Sequence, residues 1–168
     1  MNLSARQLQR PDVEDHVRHA LQESGLDPAA LVLEITESML IDDWDLALER
    51  LENLRAIGVK IAVDDFGTGY SSLNYIRQLP VDILKIDKSF VDGLVESGSE
   101  TALMAAIVDL ASVLELHPVA EGVEHDAQHQ RLRAMGCELG QGFLFSRPVP
   151  ATQLRELLLA EHGLEQAA

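Results

Sequence analysis

At 168 residues the chain is long enough for one domain but short of the roughly 250 that a closed eight-stranded α/β barrel usually takes. Thirteen basic against 28 acidic side chains give a formal charge of −15, a field that repels DNA and RNA and excludes a nucleic-acid polymer as partner. A small phosphate ligand stays open wherever metal ions or a few placed cations offset that repulsion. A content of 46% hydrophobic and 24% charged residues excludes disorder and allows a core of Leu, Ile, Val and Ala. Cys137 stands alone and suits a reducing cytoplasm, and the opening MNLSARQLQRPDVED has no apolar signal region. Asp109 and Glu115 interrupt the best apolar stretch, Ala102 to Leu116, so no membrane contact is expected from this segment.

Taken in chain order, short runs rich in Val and Ile alternate with longer segments of helical period. Val13, Val17 and Leu21 predict a helix closed by Gly25, and a strand follows at Leu31–Ile35. Trp44, Leu48, Leu51 and Leu54 predict a second helix closed by Gly58, then a strand at Lys60–Asp64. Ser72 can cap a short helix that Pro80 ends, ahead of a strand at Ile83–Asp87. Ala102, Ala106, Leu110 and Leu114 lie on one helical face before a strand ending at Val119–Glu121, and the last strand falls at Glu138–Gly142. Pro150 opens a final helix carrying Leu154, Leu157 and Leu158. This alternation is the signature of repeated β-α units on a parallel sheet, within a single domain over residues 1–168. Periodicity alone does not separate an open sheet from a barrel.

The C-terminal ends of parallel strands share one face, so polar residues ending successive strands converge however far apart they lie in sequence. Those ends carry Glu34 and Glu37, Asp64 and Asp65, Lys85 and Asp87, Glu121 and Glu124, and Gln141. Carboxylates crowded into one cleft are stable when some are protonated or bound to a hard divalent cation, and an oxygen-only ligand set favours Mg²⁺ or Mn²⁺ over Zn²⁺. Adjacent Asp64 and Asp65 suit two ions sharing a bridge, a device that clamps a phosphate and activates water. Read singly, each acid could equally be a helix cap or a solvated loop end. Gly67-Thr68-Gly69 is a poor dinucleotide-binding turn, because Ser72 stands where the third glycine belongs; a bendable ligand-covering loop or a simple tight turn fits better. His125 and His129 are expected on a solvated helix surface, and Cys137 as a small buried hydrophobe.

In order, NLS, EITES, VDDFGTGYSSLNYIRQLPVDILKIDKSFV, AEGVE and GQGFLFSRP resemble the EAL domain family, the bacterial cyclic di-GMP phosphodiesterases, from Asn2 to about Pro150. The resemblance implies a TIM-type (β/α)8 barrel, here incomplete with about five to six β-α units, and Mg²⁺- or Mn²⁺-dependent hydrolysis of cyclic di-GMP to linear pGpG. It implies that Asn2, Glu34 and Asp64 bind one metal and that Asp64 and Asp65 serve a second. Lys85 would hold the attacking water and stabilise charge at the phosphate, Glu121 would act as general base, and Gln141 would contact substrate or metal site. Glu37 would anchor the DFGTGYSS loop; Asp87 and Glu124 are further acids at the same strand ends.

The Glu of the Glu-Ala-Leu motif, a metal ligand in the family, has no counterpart in the chain, which points to Met1 as an internal start within a longer gene. Asn2, with only Met1 before it, is expected to fray. Without its first β-α units the barrel is expected to stay open, with strand edges that favour self-association or a homodimer. Two functions are therefore carried forward: a two-metal phosphodiesterase, or a non-catalytic cyclic di-GMP-binding or protein-interaction module.

Overall fold

A computed structural model of the chain describes residues 1–36, 39, 43–67, 76–95 and 98–161. Its centre is a parallel sheet of five strands in chain order, β1 (Val32–Thr36), β2 (Lys60–Phe66), β3 (Ile83–Ile86), β4 (His117–Glu121) and β5 (Leu139–Gln141). Every predicted strand is present to within a residue or two at its ends. The sheet is open among the described residues: β1 pairs with β2 and β5 with β4, and the two outer strands do not pair with each other.

Helices and short turns alternate with the strands along the chain. Among the described residues, α1 spans Ala5–Leu8, α2 Val13–Ser24, α3 Trp44–Ala56, α4 Lys88–Asp92, α5 Gly98–Val113, α6 Asp126–Ala134 and α7 Ala151–Glu161. Short 3₁₀ turns stand at Pro28–Ala30 and Gly93–Val95. Helix α2 ends where expected, Gly25 adopting a left-handed conformation and donating its N–H to the Leu21 carbonyl at 2.9 Å. Helix α3 starts where the Asp43 carboxylate accepts the Leu46 N–H at 3.2 Å, with Asp45 in its first turn and Arg55 in its last to match the helix dipole. The predicted helix between Ser72 and Pro80 begins outside the described residues.

Period-two alternation and strand register together sort the sheet into two faces. Leu33 and Ile35 stand beside Ile61 and Val63; Val63 stands beside Leu84, and Ile86 beside Ala120. These residues belong to one core with Leu51 and Leu54 of α3 and with Met104, Ile107, Val108 and Ala111 of α5, the last four spaced three and four apart along one stripe. Burying a side chain such as Leu51 contributes about 1.5 to 3 kcal/mol, so this layer holds the helices to the sheet. The alternate positions Glu34, Asp64, Lys85, Glu121 and Gln141 necessarily occupy the opposite face.

Asn2 does not fray as expected. It forms a parallel bridge to Glu34, flanked by hydrogen bonds from Glu34 N–H to the Met1 carbonyl and from Leu3 N–H to the Glu34 carbonyl, both 2.8 Å. The terminal ammonium also donates to the Val32 carbonyl at 2.7 Å, and the Ser4–Gln7 capping box starts α1 immediately afterwards. No helix among the described residues is long and apolar enough to cross a membrane.

Candidate functional site

The polar face of the sheet gathers around Lys85. Its side chain is 8% exposed, and Nζ lies 2.9 Å from Glu34 Oε2, 2.9 Å from Asp64 Oδ1 and 2.6 Å from Glu121 Oε1. Strands β1, β2 and β4 thus each contribute a carboxylate to a lysine on β3, the central strand. Burial alone would lower the Lys85 pKa, but the hydrogen bonds it donates to Glu121, Glu34 and Asp64 prevail and raise it, so the ammonium stays charged. For Glu121, burial raises the pKa; Lys85 opposes it, Asp64 and Glu34 reinforce it, and the carboxyl ends above its ordinary value.

Asp64 and Asp65 are consecutive, and in a regular strand their side chains would point to opposite faces. The register between β2 and β3 shifts between Val63 and Phe66, and Asp65 takes a left-handed backbone at φ 56°. With the alternation broken there, Asp64, Asp65 and Glu121 each offer a carboxylate oxygen within 4.8 Å of the others. That donor set, three hard oxygens without sulfur or imidazole, suits a hard divalent cation. The charge count agrees, since one ammonium faces four carboxylates.

Glu34 reaches this cluster through Lys85, and one of its oxygens lies 4.0 Å from the terminal ammonium. Gln141 ends β5 in register with Glu121, and both border a cavity of about 260 Å³ that Lys88, Glu124 and Phe143 also line. Arg147 stacks over the Phe143 ring, 4.5 Å from its centroid. Asp87 caps α4, accepting the Ser89 N–H at 3.0 Å and hydroxyl at 2.6 Å, which holds its carboxyl below the ordinary value. Glu124 pairs with Lys88 across the cavity wall, and that ammonium holds its carboxyl low. The backbone at Gly122 runs so close over Lys88 that an added Cβ would meet Cγ at 2.4 Å.

Glu37 and the loop it was expected to anchor, from Thr68 onward, lie outside the described residues. His125 does not share a helical face with His129: it is the residue before α6, and the His129 ring meets Phe145 edge-on at 5.5 Å. Cys137 is buried as expected, and burial pushes its thiol up. Two participants escaped sequence reasoning. Lys88 stands two residues past β3, at the first position of α4, where nothing in the local pattern marks it; Gln128, three residues after His125, stands at the third position of α6, where its amide reaches back to the helix start.

A sheet face that surrounds a buried lysine with carboxylates, built on β-α units, defines the class of protein. The EAL domain profile matches residues 1–148, and the chain belongs to that family. It is 49% identical over 154 residues to MucR of Pseudomonas aeruginosa, a bifunctional diguanylate cyclase/cyclic di-GMP phosphodiesterase, across 92% of this chain and 22% of that protein. It superposes on the EAL domain of DcpA from Mycobacterium smegmatis with a TM-score of 0.90 at 39% identity, over 95% of this chain and 71% of that one. For BlrP1 of Klebsiella pneumoniae, solved with manganese and cyclic di-GMP, the TM-score is 0.82 at 36% identity, over 88% of this chain and 38% of that one. The chain spans about a fifth of the length of curated relatives such as MucR. The sheet is thus part of a TIM-like barrel.

Proposed function

We propose that this face hydrolyses one phosphodiester bond of cyclic di-GMP to give linear pGpG, assisted by divalent cations of the Mg²⁺ or Mn²⁺ kind. The observation that carries this reading is the approach of Asp64, Asp65 and Glu121 to within 4.8 Å beside Lys85, in a fold whose relative MucR is named a cyclic di-GMP phosphodiesterase. Asp64 and Asp65 would hold the ions, with Asn2 and Glu34 on the β1 side completing one site. The bound ions would supply charge neutralisation at the phosphate and a more acidic water.

The chain's own residues divide the remaining work. Glu121 takes the proton of the attacking water while the new O–P bond forms; the ester P–O bond breaks, its oxygen leaves as a hydroxyl by taking a proton from solvent, and Glu121 then returns its own proton to solvent. Lys85, a compact charge held by neighbouring acids, orients that water and offsets charge building at phosphorus. Gln141, Lys88 and Glu124 border the space beside Glu121 and orient the nucleotide. We assign the open sheet edges and the half-exposed Leu154, Leu157 and Leu158 of α7 to self-association, and the reduced Cys137 to a cytoplasmic setting.

Incubation of the chain with cyclic di-GMP and Mg²⁺ or Mn²⁺, with Glu121→Ala run in parallel, tests this. Formation of pGpG that disappears in the variant is the expected result. Binding of cyclic di-GMP without product would overturn hydrolysis in favour of a receptor role.

A further inference from the structure

Besides Lys85, one other polar side chain is buried among the described residues: Gln128, 2% exposed, near the start of α6. Its Oε1 accepts two backbone N–H groups, from Glu124 at 2.8 Å and from His125 at 2.9 Å. Its Nε2 donates to the Val91 carbonyl of α4 at 3.3 Å. One amide therefore ties the loop leaving β4 to the helix that carries Lys88, and Lys88 in turn pairs with Glu124. These are two walls of the 260 Å³ cavity beside Glu121.

The other side of the same loop is equally fixed. Val123 donates its N–H to the Gln141 carbonyl and accepts the Leu144 N–H, both at 3.0 Å. Gly142 crosses there so closely that an added Cβ would meet the Val123 oxygen at 2.1 Å. The loop from Glu121 to His125 is thus held on one side by backbone and on the other by the Gln128 amide, with the Lys88–Glu124 pair beside it. A buried apolar residue at 128 would leave the Glu124 and His125 N–H groups without that acceptor, while the Val91 carbonyl would keep only the Gly93 N–H, and the loop would have to shift to satisfy the two donors.

We propose that Gln128 is a positioning residue, fixing where Glu121 and Glu124 face the cavity without itself meeting the substrate. The catalytic half of this inference rests on the phosphodiesterase reading above. The test uses the full chain with Gln128→Leu and Gln128→Glu, the second keeping an acceptor for both N–H groups.

At a temperature where circular dichroism shows the variants folded, kcat/KM for pGpG formation should fall at least about tenfold in the Leu variant and partly recover in the Glu variant. Amide exchange should accelerate by a similar factor at Glu124 and His125 and stay unchanged in β2 and β3. Unchanged exchange at those amides, or faster exchange with undiminished kcat/KM, would overturn the proposal. If the unsubstituted chain makes no pGpG, the hydrolysis reading fails and exchange alone decides: acceleration confined to the loop upholds the positioning role, and acceleration spread through the sheet overturns it. Should the Leu variant not fold, Gln128→Asn, one methylene shorter, takes its place in both measurements.

Discussion

Lys85, buried, and Arg50, half-buried, both meet carboxylates, and they do so in different proportions. Arg50 on α3 donates to Glu14 on α2 at 2.9 Å, the two side chains 17% and 13% exposed, with Asn53 as a second donor to the same oxygen at 3.4 Å. Lys85 on β3 meets three carboxylates from three strands. The first contact is balanced: a helix-to-helix fastening with nothing further to attract. The second is left short of positive charge, and this imbalance separates a site from a brace.

The comparison breaks hardest at Lys85. Lys85→Met leaves Glu34, Asp64 and Glu121 facing one another without their shared ammonium, and the rate of pGpG formation should fall roughly 1000-fold. Arg50→Met should do the reverse, lowering the urea midpoint of unfolding while the rate per folded molecule stays unchanged.

The fastening also has a predictable pH dependence. Burial raises the Glu14 pKa, but Arg50 and Asn53 outweigh it and the carboxyl ends below its ordinary value. A group whose folded pKa is depressed contributes stability above its unfolded pKa and loses it as pH falls through the folded one. The stability gap between the natural chain and Arg50→Met should therefore be constant near neutrality and shrink below about pH 4.

The smallest effect is expected at Asp65→Asn. The amide tolerates the left-handed backbone at φ 56° but lacks the charge, so Mn²⁺ affinity measured by calorimetry should drop about tenfold with the melting temperature unmoved.

The convergence of Glu34, Asp64, Lys85, Glu121 and Gln141 on one face was legible because parallel strands converge by geometry: it needed only their positions at the ends of Val- and Ile-rich runs. The helices were legible where apolar spacing and a stop signal agreed, as at Leu21 and Gly25. What escaped was set by contacts between units. The bulge that lets Asp64 and Asp65 cooperate depends on β2 shifting against β3, and no local pattern announces it. Asp87, read only as a strand-end acid, also caps a helix start, a use that the following Ser89 could have signalled. Asn2 was expected loose because its neighbours in sequence are few; backbone pairing with β1 supplies what sequence neighbours do not.

Because the strands lie side by side in the order in which they occur along the chain, the sheet can grow by simple addition as the polypeptide emerges from the ribosome. Glu34 comes first, then Asp64 and Asp65, and two strands of acids are laid down before Lys85 arrives. Glu121 follows only once that ammonium is in place to receive it. The sequence of synthesis thus delivers the counter-charge midway, and the repulsion that the finished site concentrates is never assembled all at once.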